Sequence, residues 1–216
     1  MPRKLYRRRR TRKPSWYNKK YSTLQLAKKS WTAVKYLKGL VNSERMYSDT
    51  QHTSTAQSAI FRIVNLSQGD TSSTRTGNSI LLRSIYMRGH IQINSSVPVA
   101  TRCTLAIVRD MQQVSDTTPL NSEIFEDYTD PESMLSRTSA GRFKLVMRKS
   151  FVLTPVSGGK PVRPIKEFLS MREHLRWNGA NVADVQKGHY YLCLLTSEAT
   201  NFPTLDVVSR VSYHDN

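Results

Sequence analysis

From residue 57 onward, apolar and polar side chains repeatedly alternate with a period of two, and this period constrains the fold more than any other feature of the chain. The clearest instance lies within 79–94. There Ile85, Met87, Ile91 and Ile93 face one way, while Ser84, Tyr86, Arg88, His90 and Gln92 face the other. Gly89 in its middle predicts a bulge or bend. The pattern returns through Cys103, Leu105 and Ile107, and again through Phe143, Leu145, Met147, Phe151 and Leu153. Strands are expected at 57–67, 79–93, 101–110, 143–153, 162–168, 172–178, 189–197 and 205–214. The stretch RPIKEFLSMREHLRW, which holds two of them, also reads as a helix. The last two are expected to pair as a hairpin, with Val207, Val211 and Tyr213 inward and Asp206, Arg210 and His214 outward. Eight strand candidates separated by turn residues, with no strongly helical segment among them, predict an all-β sandwich or barrel.

The chain before residue 57 has another character. Residues 1–43 hold fourteen Lys and Arg and no Asp or Glu, whereas the whole chain is only +17. The remaining residues therefore carry nineteen bases against sixteen acids, close to neutral. Such a split describes partners rather than fold: one part meets a polyanion and the other does something else. Arg3, Lys4, Arg7, Arg8, Arg9, Arg10, Arg12 and Lys13 form the densest block, which repels itself and is expected to be disordered alone. Trp16 and Tyr17, with Tyr6 and Tyr21, are interleaved where they can stack on unpaired bases, and Lys19 and Lys20 continue the charge. Phosphate contact by these groups is sequence-indifferent and steeply salt-dependent. A solvated tail or a nuclear-import signal is the plainer reading of the Arg-rich block, and import can be a second use of the same residues.

Residues 22–42 carry a helical pattern. Leu26, Ala27, Ala33, Val34, Leu37, Leu40 and Val41 gather on one arc, and Lys28, Lys35 and Lys38 on the other with Leu24 and Trp31. Ser22 or Thr23 is the expected N-cap, and Gly39 weakens the last turn. A lone helix of this length is marginal in water, so its apolar arc needs a partner. The polar stretch 44–56, ERMYSDTQHTSTA, reads as a linker between this arm and a body over 57–216.

The two cysteines, Cys103 and Cys193, are too few for a disulfide framework and sit in apolar runs, as buried free thiols do. The longest apolar run, 190–195, is too short for a bilayer, and no signal-peptide pattern follows the basic start, so neither membrane insertion nor secretion is expected. No catalytic constellation is visible. The five histidines show neither HxH nor HExxH spacing. Gly158-Gly159-Lys160 lacks the earlier glycine of a P-loop and is followed by Pro161, so it reads as a turn. The long interruption, 111–142, is too long for a mere connection and predicts a functional or interface loop. Its acids, Asp116, Glu123, Glu126, Asp127, Asp130 and Glu132, precede any base. They do not fit an EF-hand, and they are expected to be exposed, to pair with basic neighbours, or to share a divalent cation such as Ca2+ between subunits near Glu123, Glu126, Asp127 and Asp130.

A basic arm, an amphipathic helix and an eight-stranded β body resemble a small icosahedral virus capsid protein. The run NLSQGDTSSTRTGNSILLRSIYMRGHI at 65–91, then Val108-Arg109-Asp110, Thr117-Thr118-Pro119, the stretch 142–153 and Trp177-Asn178-Gly179 resemble satellite tobacco necrosis virus coat protein in order and spacing. The Arg-rich start is closer to the similar capsid proteins of circular Rep-encoding single-stranded DNA viruses. The resemblance covers roughly 57–216 and implies a single jelly roll with sheets B-I-D-G and C-H-E-F, its strands B to I being the eight above in order. It further implies that about sixty copies close into a shell by symmetry. The partners are then the chain itself, a single-stranded genome (DNA before RNA), nuclear import machinery and an unidentified host receptor, with no membrane. The locations implied are the virion and, during assembly, the host nucleus. A ribosomal-type basic RNA-binding protein is the alternative, although its globular part is usually basic too.

Overall fold

A computed structural model describes residues 22–41, 45–97, 99–155 and 161–215. The chain divides into two units, Met1–Val41 and Asn42–Asn216. The first contains helix α1, Thr23–Val41.

The second unit is all-β: two antiparallel sheets, one of five strands and one of four. In the five-stranded sheet the order is β1 (Arg45–Ser54), β9 (Thr204–Asp215), β3 (Ser79–Gln92), β6 (Val162–Trp177) and β7 (Val185–Lys187). In the four-stranded sheet it is β2 (Ser58–Arg62), β8 (His189–Thr196), β4 (Thr101–Asp110) and β5 (Phe143–Leu153). The inward residues of both sheets meet in one core, among them Ile85, Met87, Leu105, Ile107, Leu192, Leu194, Val207 and Val211.

Five expectations are corrected. The supposed linker 44–56 is largely strand: β1 pairs with β9 from Arg45 opposite His214 to Ser54 opposite Leu205. Its inward side chains are Met46, Ser48, Thr50, His52 and Ser54, which are mostly small and polar, so no apolar alternation betrays it. His52 is buried there because its Nε2 shares a 2.8 Å hydrogen bond with Ser209 Oγ.

The two short strands expected at 162–168 and 172–178 are one, β6, and neither is helical. Its inward positions Ile165, Leu169, Met171, Leu175 and Trp177 keep the period of two while Lys166, Phe168, Ser170, Arg172, His174 and Arg176 stay exposed. Pro164 is tolerated because β6 pairs with β3 on one side only along that part of its length.

The final hairpin is absent. β8 lies between β2 and β4, and β9 lies between β1 and β3, in the other sheet. Burial explains the separation. All eight residues of β8 are buried, which demands cover on both faces, whereas β9 alternates. The strand expected at 57–67 accordingly lies beside β8 rather than beside β9.

Gly89 marks no bulge. The register of β3 shifts between Leu82 and Ser84 instead, and Gly89 pairs regularly with Val207. A Cβ at Gly89 would lie 2.1 Å from the Asp206 carbonyl oxygen, so close approach of the β9 backbone is what requires glycine. A second shift, between Ile107 and Val108, leaves Val146 as the extra residue of β5. This turns Val146 to the core and leaves Leu145 exposed, against its expected inward position.

The interruption 111–142 folds over the outer face of the four-stranded sheet. A short helix, α2 (Asn121–Ile124), delivers Ile124 and Phe125 into a second apolar cluster with Ala106, Val108, Tyr191 and Cys193. Cys103 and Cys193 are free and buried, and burial pushes the Cys103 thiol up to about 12.

Candidate nucleic-acid interface

Arg3, Lys4, Arg7, Arg8, Arg9, Arg10, Arg12, Lys13, Trp16, Tyr17, Lys19 and Lys20 lie outside the described residues, as do the Lys38 side chain and Gly158-Gly159-Lys160, where a turn is expected. The described part of the arm is α1. Ser22 is its cap: the Gln25 N–H donates to Ser22 Oγ at 3.3 Å, and the Ser22 N–H donates to Gln25 Oε1 at 3.2 Å. This reciprocal pair satisfies two helix-end donors. Every side chain from Ser22 to Leu37 is exposed, Lys28 and Lys35 included. Lys35 Nζ lies 5.7 Å from the Trp31 ring centroid, a cation over an aromatic face one turn away. Leu26, Val34 and Leu37 are each more than half exposed, so the apolar arc is open to a partner.

Glu123 and Glu126 pair with bases of the same chain, one of the arrangements expected, and Asp127 and Asp130 accept local hydrogen bonds. Arg142 donates to Glu123 at 2.9 Å and to the buried Asp110 at 3.0 Å. Burial works against its charge, but the hydrogen bonds and charges of Asp110 and Glu123 more than offset this and raise its pKa. Glu126 accepts the Arg137 backbone N–H at 2.7 Å, and this bond chiefly holds its carboxyl below the usual range. Asp127 is lowered in the same way by the Thr129 hydroxyl at 2.6 Å and the Thr129 N–H at 2.8 Å. Asp130 accepts the Glu132 N–H at 2.9 Å. Among the described residues no group of three or more His, Cys, Asp or Glu side chains is placed to hold a metal ion, including around Glu123, Glu126, Asp127 and Asp130. No described helix is long and apolar enough to cross a membrane.

Sequence reasoning passed over the outward positions of the five-stranded sheet. Arg88 of β3 stands directly opposite Lys166 of β6, and Tyr86 stands opposite Phe168. Arg172 and Arg176 continue the exposed row of β6. They reach an open cavity of about 730 Å3 that Arg109, Lys187 and the acid Glu173 also line. Arg45 begins β1, its Nε donating to Ser212 Oγ at 2.6 Å and its guanidinium 5.5 Å from the Tyr47 ring centroid. The signal was present in the sequence, because these bases occupy the polar half of the alternation. Comparison with known families and with curated proteins returns no match.

Proposed function

We propose that the chain is the coat subunit of a small icosahedral shell and packages a single-stranded genome, DNA in preference to RNA, through its basic arm. The observation that carries this reading is the strand order. Taken as strand B, β1 makes β2 C, β3 D, β4 E, β5 F, β6 G, β8 H and β9 I. The sheets then run B-I-D-G and C-H-E-F, the order of a jelly roll, with β7 added beside G. The letters move relative to the sequence expectation because β1 reads in the sequence as linker and β6 as two strands. The charge split supports the second half of the reading, with fourteen bases and no acid before residue 44.

The test is size determination and electron microscopy of the purified protein, with and without residues 1–21. Closed particles are expected from both forms, and the shortened one should carry less nucleic acid, read as a lower ratio of absorbance at 260 to 280 nm. An RNA-bound species of subunit mass would instead favour the alternative, a basic RNA-binding protein. An undiminished absorbance ratio would remove the packaging role of the arm.

A further inference from the structure

We propose that the outer face of the five-stranded sheet is a second polyanion-binding surface, and that its ligand is single-stranded nucleic acid; this rests on the reading of the chain as a packaging protein. The outward positions of β1, β3, β6 and β9 hold six bases, Arg45, Arg88, Lys166, Arg172, Arg176 and Arg210, against two acids, Asp49 and Asp206. Both acids are already engaged. Asp49 takes two hydrogen bonds from Arg210, at 2.7 and 2.6 Å, and Asp206 accepts the Gln51 amide at 3.1 Å. The acids of β6 lie on its other face, where Glu167 meets Lys149 and Glu173 meets Arg109. Among the described residues Arg88, Lys166, Arg172 and Arg176 form no ion pair.

Like charges directly opposite each other on neighbouring strands destabilise a sheet, so the Arg88–Lys166 pair costs the isolated fold something. A bound phosphate backbone removes that cost and turns it into affinity. Beside the pair, Phe168 is 64% exposed at the edge of the sheet, and Tyr47 is 49% exposed on β1. Exposed aromatics among bases suit stacking of unpaired bases better than the closed stack of a duplex. The opposite side of the sandwich carries the loop whose Asp116, Glu126, Asp127 and Glu132 are exposed. The basic face is the one whose edge strand, at Arg45, continues directly from the arm.

The experiment measures how the affinity of full-length protein, freed of nucleic acid at high salt, for a labelled single-stranded oligonucleotide depends on salt. One variant changes Arg88, Lys166, Arg172 and Arg176 to Gln, and another changes Arg7, Arg8, Arg9 and Arg10 to Gln. Each phosphate contact contributes about 0.7 to the slope of log affinity against log salt, so each variant is expected to lose about 3 from that slope. A drop with the arm variant alone overturns the sheet surface and leaves the packaging reading standing. A drop with neither variant overturns both, and a drop with the sheet variant alone supports the surface while removing the arm. Changing Arg88, Arg172 and Arg176 to Lys should keep the slope, and its loss there would overturn the electrostatic contact in favour of a folding defect. Changing Arg102 of the other sheet and Arg137 of the loop to Gln should leave the slope unaltered. An equal loss there would overturn the proposal, because any surface charge would then count.

Discussion

Arg142 shows how a single side chain can tie a loop to a sheet. Its guanidinium bridges Asp110 at the end of β4 and Glu123 in the loop, and the Asp110 side chain is only 1% exposed. Replacing Arg142 by Ala leaves a buried carboxylate without its base, a change that costs about 3–5 kcal/mol. Lys at 142 should recover only part of this, since a point charge cannot fork between two carboxylates. The double change Arg142→Met with Asp110→Asn should be less damaging than Arg142→Ala, because no uncompensated charge remains. Equilibrium urea denaturation of the unassembled subunit measures all three. A second residue-scale prediction concerns pH. Burial lowers His52 to about 4 and His189 to about 3, with the charge of Arg62 adding to the effect at His189. In the unfolded chain both titrate near 6.5. Below that pH the unfolded state therefore binds more protons than the folded one, so stability present at neutral pH is lost as pH falls from about 6.5 toward 4. Each histidine should contribute a slope approaching about 1.4 kcal/mol per pH unit. His52→Gln should roughly halve the total slope between pH 6 and 5, before carboxylates titrate. Unchanged urea midpoints from pH 7.5 to 5 would contradict this.

At the scale of elements, α1 is the piece whose packing is open. It is properly capped at Ser22, yet Leu26, Val34 and Leu37 lie exposed along it. The capsid reading supplies a partner, other copies of the helix gathered beneath a symmetry axis with their lysines turned to the interior. Leu37→Asp would then put an unpaired charge in an apolar contact, at a cost of several kcal/mol. Assembly should fail, or particles should melt well below wild type in a thermal scan. Wild-type melting would make the helix only a tether. How legible each element was in the sequence depended on how its inner face is built. β3 could be read because Ile85, Met87 and Ile91 alternate with polar residues. β1 could not, since its inward Ser48, Thr50 and His52 are held by hydrogen bonding and burial rather than by apolar bulk. β6 looked divided because charged residues and Pro164 crowd a strand with a single neighbour over most of its length. The particular partner of Glu123 was hidden for another reason: it meets Arg142 across 19 residues of chain, a contact no local pattern encodes. Of the candidate interface, the arm and helix stood out by charge alone. The row from Arg88 to Arg176 needed strand register to become a surface.

For the whole molecule, if it forms the proposed shell, the decisive quantity is charge summed over its copies. In such a shell about sixty arms of +14 would place on the order of 840 positive charges inside, and the four surplus bases of each sheet face would add on the order of 240 more. With one phosphate per nucleotide, neutralisation sets a genome scale of roughly one to two thousand nucleotides. So short a genome does not need the density of duplex packing, and the aromatics at Trp16, Tyr17 and Phe168 can stack only on bases left unpaired. Backbone charge and stacking are common to DNA and RNA, and none of the groups invoked here reads a 2′-hydroxyl. The preference for DNA rests on the run Arg7 to Arg10, which can also direct nuclear entry. A virus that replicates DNA in the nucleus needs such entry, and a cytoplasmic RNA satellite does not. Nucleic acid extracted from authentic virions is therefore expected to resist ribonuclease and to be destroyed by deoxyribonuclease and by a nuclease specific for single strands. Authentic virions are required, because particles assembled in a foreign host enclose whatever polyanion is abundant there. Digestion by ribonuclease alone would reassign the genome to RNA and leave the shell as proposed, while resistance to the single-strand nuclease would overturn the argument from stacking.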